Sequence, residues 1–154
     1  MNWKSLKLIT PAIVLLSVLA FAYFSHQKTT NSVQGQECSL VKGECTLIFS
    51  NHQVTLKISP TPISIEEELK VVFAYSKNLK LHDAWVEGNN MFMGRMQVII
   101  DETDIKKNYT ISQGILFLGS CNLKSMTWIL FAEFEELDKS QPIRLSFRFS
   151  TQTN

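Results

Sequence analysis

The 154-residue chain has no surplus of either charge: 15 Lys and Arg face 14 Asp and Glu. No basic patch runs along it, so nucleic acid is not an expected partner, because phosphate binding needs clustered Lys and Arg. The three cysteines show no C-x-x-C spacing, which excludes a thioredoxin-like redox role. No Ser/His/Asp order, phosphate loop or pair of facing carboxylates stands out. Nothing therefore resembles an activated nucleophile, and no enzyme is expected. Histidine is scarce: His26 falls in a polar stretch, His52 in a turn, and His82 on a strand leading toward a methionine-rich hairpin. Internal repeats and low-complexity tracts are missing too.

What is present begins with Leu8 to Phe24, seventeen residues without a charge, between Lys4/Lys7 and Lys28. That length is the lower limit for a bilayer-spanning helix, and Pro11 lies in its first turn, where a missing N–H costs little. The two preceding lysines place the N-terminus in the cytoplasm by the positive-inside tendency. A cleaved signal peptide is the rival, since Ala20-Phe21-Ala22 fits a small-x-small cleavage site. Tyr23 and Phe24, placed as an interfacial belt, favour the retained anchor. Both readings export the domain on its C-terminal side. The expected organisation is a cytoplasmic stub over 1–7, a transmembrane helix over 8–24, a flexible polar tether over 25–37 and an exported domain over 38–154.

Within that domain the pattern is short segments of period two separated by turn residues. Strands are expected over 46–49, 54–58, 69–75, 79–87, 91–100, 109–112, 115–120, 127–134 and 143–150. Turns are expected at Lys42-Gly43, Asn51-His52 and Gly88-Asn89-Asn90, with Pro60-Thr61-Pro62 as a break and 101–108 as a charged connection. The stretch 127–137, "TWILFAEFEEL", is apolar on both faces, as in a central strand. Eight or nine short strands without an amphipathic helix predict an all-β, immunoglobulin-like antiparallel β-sandwich. Asn108-Tyr109-Thr110 matches a glycosylation sequon, which matters only in a eukaryotic secretory setting.

Sulfur is the chemical feature. Of five methionines, Met91, Met93 and Met96 fall within six residues. On a strand, Met91 and Met93 would share a face. Thioethers are soft donors suited to Cu(I), although methionine is also a flexible core filler with Trp85 and Phe92 as natural neighbours. A second group, Cys121 and Met126, flanks a turn ahead of Trp128. If that turn approaches the methionine hairpin, four sulfurs converge. Cys38 and Cys45, with six residues between them, fit a disulfide worth about 2.5 kcal/mol by loop entropy. A metal-binding dithiol and a Cys45–Cys121 bridge beside Trp85 remain the alternatives.

Anchor, tether, Cys-x6-Cys, Gly-x2-Met-x-Met-Gly and Cys-x4-Met-x-Trp together resemble a group of small proteobacterial envelope proteins. The Met-x-Met-Gly hairpin followed by a Met-x-Trp strand is similar to YtkA-like and FixH-like β-sandwich domains. The resemblance spans most of 38–134. It implies copper handling and maturation of haem-copper oxidases, with Met91, Met93, Cys121 and Met126 as Cu(I) ligands and Cys38 and Cys45 as the paired cysteines. No histidine stands beside the methionines, which disfavours Cu(II). The implied protein is a single-pass inner-membrane protein with a periplasmic domain, whose partners would be an oxidase subunit or a copper chaperone. The other class is an interaction module that docks on an envelope complex and uses its methionines as core.

Overall fold

The computed structural model describes residues 36–120, 123–137 and 141–152. The expected stub, the anchor and most of the tether lie outside them. Among the described residues no helix is long and apolar enough to cross a membrane.

The described residues form ten strands: β1 (Glu37–Ser39), β2 (Glu44–Phe49), β3 (His52–Ser59), β4 (Glu68–Ser76), β5 (Leu79–Gly88), β6 (Arg95–Gln97), β7 (Ile99–Ile105), β8 (Tyr109–Phe117), β9 (Ser125–Glu136) and β10 (Pro142–Gln152). They make a β-sandwich of two five-stranded sheets, ordered β1-β10-β9-β5-β6 and β2-β3-β4-β8-β7. All neighbours are antiparallel except β1 and β10.

Alternation sets which side chains turn inward. Val54, Leu56 and Ile58 of β3 and Leu69, Val71 and Phe73 of β4 face Trp128, Leu130 and Phe134 of β9 and Phe147 of β10 in one apolar core. Phe134 crosses between sheets to meet Phe73 and Tyr75 edge-on, with ring centroids 6.5 and 5.2 Å away. The apolar stretch over 127–137 is indeed a central strand: β9 alternates buried and half-buried residues between β10 and β5.

Several boundaries differ from expectation, each for a local reason. Gly114 does not break the chain. It sits inside a continuous β8, where an added Cβ would stand 2.3 Å from the Ile99 carbonyl oxygen, so the glycine admits the close approach of β7. The charged connection over 101–108 is largely strand, because its acids lie on β7 at the sheet edge, where charge guards against foreign pairing. The turn expected at Asn51-His52 is one residue earlier. Ser50 and Asn51 take positive φ, and His52 opens β3 as a buried side chain. Lys42-Gly43 is a turn as expected, also with both φ positive, the conformation two-residue hairpins favour.

Trp85 is not beside Cys38 or Cys45. It is buried on the outer face of its sheet, stacked on Phe131 at 5.5 Å and covered by the Arg95 guanidinium 3.7 Å above the ring. Cys38 pairs with Cys45, Cα atoms 6.3 Å apart, and so ties β1 of one sheet to β2 of the other.

Candidate functional site: a methionine cluster at one end of the sandwich

One end of the sandwich collects the close of β5, the close of β8 and the start of β9. Gly88 ends β5 opposite Trp128. From there the chain does not continue as a strand through the methionines. Residues 89–94 form a loop, and the ladder resumes at Arg95. The loop is held by substitute hydrogen bonds to β9. Asn89 N–H donates to Thr127 O at 2.8 Å, Thr127 N–H donates to the Asn90 side-chain oxygen at 3.0 Å, and the Asn90 amide donates to Ser125 O at 3.1 Å. Gly94, at φ +72°, turns the chain back into β6.

The period-two expectation for Met91 and Met93 therefore fails. In the loop the two separate: Met91 is 42% exposed, whereas Met93 packs against the core. Phe92 between them is 94% exposed. Met126, the second residue of β9, is 1% exposed.

Two glycines measure how closely the sulfur side chains gather. A Cβ placed on Gly88 would lie 2.5 Å from Met126 Cε and 3.2 Å from Met93 Cγ. A Cβ placed on Gly119, two residues past the end of β8, would lie 3.4 Å from Met93 Cε and 4.0 Å from Met96 Sδ. Met93 thus lies beside both glycines, sharing the space over Gly88 with Met126 and that over Gly119 with Met96. The Gly119 N–H also donates to Met96 Sδ at 3.3 Å.

Of the expected ligands, Met93 and Met126 come together and Met91 stays at the rim. Cys121 lies outside the described residues, two positions beyond Gly119 in sequence. Met96 was not among the expected ligands. The signal for it is slight, since it follows the Met-x-Met pair across the Gly94 turn and only the fold brings it under Gly119. His82 is not part of the cluster. It is the exposed extra residue of a β-bulge between Leu81 and Asp83.

The cluster is uncharged. Among the described residues no three His, Cys, Asp or Glu side chains gather in a form suited to a metal, and the soft donors described here are thioethers. The raised basicities lie elsewhere on the surface. Lys106 is raised by its hydrogen bond to, and charge attraction from, Asp104, and Arg148 in the same way by Glu37. The chain matches no family model, no curated protein and no solved structure.

Proposed function

We propose that the chain is a single-pass inner-membrane protein whose periplasmic sandwich holds Cu(I) through methionine sulfur and assists maturation of a respiratory oxidase by ligand exchange. The observation that carries this is the gathering of Met93, Met96 and Met126 around Gly88 and Gly119. Two or three thioethers with a neutral, low-polarity surround favour Cu(I) over Zn(II) or Cu(II), which prefer imidazole, thiolate or oxygen. Cys121, just beyond Gly119 in sequence, would supply a thiolate and tighten the set. Export rests on the uncharged stretch 8–24 and agrees with a disulfide-distance cysteine pair in the domain. An immunoglobulin-like topology is supported by the strand order. β4-β8-β7 and β10-β9-β5-β6 follow the B-E-D and G-F-C-C′ arrangement of such sandwiches.

A second reading has its own observation. Met126 is buried in the core, and Met96 sulfur already accepts a backbone N–H. On that basis the methionines are packing, and the exposed Phe92 belongs to an interaction surface.

Cu(I) competition titration of the full chain under reducing conditions separates the two. Leu replaces Met with little change of volume, so stability should move by less than about 1.5 kcal/mol. Met93→Leu with Met96→Leu is expected to lower Cu(I) affinity at least tenfold, and Met91→Leu much less. Unchanged affinity in the Met93/Met96 double variant would leave packing as the role of the cluster.

A further inference from the structure

The outer face of the second sheet carries its polarity in reverse. β8 turns Thr110, Ser112, Gly114 and Leu116 inward, and Tyr109, Ile111, Gln113, Ile115 and Phe117 outward. An antiparallel sheet with one solvated face ordinarily sends its polar side chains out. Here four of the five outward side chains are large and apolar. Phe117 is 52% exposed, and so is 56% of Ile99, which stands opposite Ile115 on β7. On the other side of β8, Val72 and Ala74 of β4 continue the patch half-buried. A contiguous apolar patch of this kind marks an interaction surface.

Charge decides what covers it. One row of the sheet reads Glu44, Lys57, Val72, Gln113, Glu102 across β2, β3, β4, β8 and β7. Lys57 and Glu102 are exposed and stand three strands apart, on either side of the apolar centre, about 14 Å at ordinary strand spacing. A two-fold axis parallel to the strands, midway between β4 and β8, exchanges these two positions. It sets β3 of each copy against β7 of the other in the same row, so that Lys57 meets Glu102 of the second copy twice. An axis across the strands would instead lay acidic β7 on acidic β7, which like charges oppose.

The other charges fit the first arrangement. Asp104 is already paired with Lys106, and Glu44 stands opposite Lys57 on the far strand. Lys70 lies beside Ile115, where its hydrocarbon stem extends the apolar cover. The acids of β7 work against pairing at its edge, so the faces meet and the edges do not.

We propose that the outer face of β3-β4-β8-β7 is a homodimer interface. Two copies pack sheet on sheet about a two-fold axis parallel to the strands, covering Ile99, Ile115 and Phe117 and pairing Lys57 of each with Glu102 of the other. Such an interface is self-complementary and closes at two copies. It uses neither the methionines nor the cysteines, so it stands whether or not copper binds.

The test is sedimentation equilibrium of the full chain in density-matched detergent, with circular dichroism as the check on folding. The unaltered chain is expected to sediment as a dimer. Ile99→Ser with Phe117→Ser, both at exposed positions, should weaken self-association at least about tenfold without changing the spectrum. Lys57→Glu and Glu102→Lys should each weaken it by about tenfold or more, because both ionic contacts of the dimer become like-charged. Mixed together, these two variants should associate with each other at close to the unaltered affinity, since every contact in the mixed dimer is again between opposite charges. A partner other than a second copy predicts a monomer throughout. Association through the apolar stretch 8–24 predicts a dimer indifferent to all of these substitutions. Either result, or failure of the two charge variants to associate when mixed, would overturn the assignment.

Discussion

The side chain of Asn90 stands in for a missing strand residue beside Thr127. Its oxygen accepts the Thr127 N–H at 3.0 Å, while its amide donates to Ser125 O at 3.1 Å. These two bonds hold the methionine loop against β9 without a backbone ladder. Asn90→Ala should therefore cost about 1 kcal/mol, the net value of a typical exposed hydrogen bond or slightly more. Amide hydrogen exchange over 89–94 should accelerate, while β5 and β9 away from the loop keep their protection. Unchanged exchange in that loop would show that packing of Met93, and not Asn90, fixes it.

The pairing of Cys38 with Cys45 joins the two sheets at their β1 and β2 edges. Reduction, or Cys38→Ser, is expected to lower unfolding free energy by about 2.5 kcal/mol on the loop-entropy account. Denaturant titration of the full chain with and without reductant measures it. Peptide mapping of the oxidised protein should recover Cys38 joined to Cys45. Recovery of Cys45 joined to Cys121 would refute the pairing and remove Cys121 from the proposed ligand set.

Arg95 lies over the Trp85 ring at 3.7 Å, and Arg144 stands 5.3 Å away. Trp85 also donates its indole N–H to Glu87 Oε1 at 2.8 Å. Arg95→Ala should uncover this outer-face tryptophan and cost about 0.5–1 kcal/mol, the scale of an exposed cation–π contact. Collisional quenching of tryptophan emission should rise, while Trp128, bonded to Thr151 inside the core, stays protected.

Strand periodicity made most of the sandwich legible. β3, β4, β9 and β10 follow their apolar alternation closely, because each buries one full face and a one-residue slip would expose it. β7 was hidden because "IIDETDI" carries three acids at an edge, where solvation suits charge and the pattern reads as a loop. β1 was missed at the junction of the tether and the domain, since a three-residue parallel strand needs only backbone pairing with β10. The methionine run misled in the other direction. "MFM" alternates as a strand would, but Asn90 replaces the ladder with side-chain bonds, and the face shared by Met91 and Met93 disappears. Met96 joined the cluster through Gly119, a contact between residues 23 apart that no local pattern encodes.

At Gly88 the loop and the cluster press on one point. A Cβ there would stand 2.2 Å from Met91 O and 2.5 Å from Met126 Cε. The methyl of Met126 can swing aside, but the Met91 carbonyl belongs to a loop that Asn90 pins to β9. Gly88→Ala should therefore push the loop outward and cost about 1–3 kcal/mol, as overpacking does. Gly94→Ala offers a contrast, because nothing lies within 4 Å of its added Cβ and only the positive φ is strained, so about 1 kcal/mol is expected. Releasing the pin should relieve the clash. The cost of Gly88→Ala in an Asn90→Ala background should fall short of the sum of the two single costs by at least about 0.5 kcal/mol, a coupling typical of residues in contact. If the cluster holds Cu(I) as proposed, affinity should also drop in Gly88→Ala, although every sulfur is still present, because Met93 moves away from Met126. Strict additivity of the two substitutions would mean that the loop and the cluster are mechanically independent, and the clamp would then have no part in holding the site.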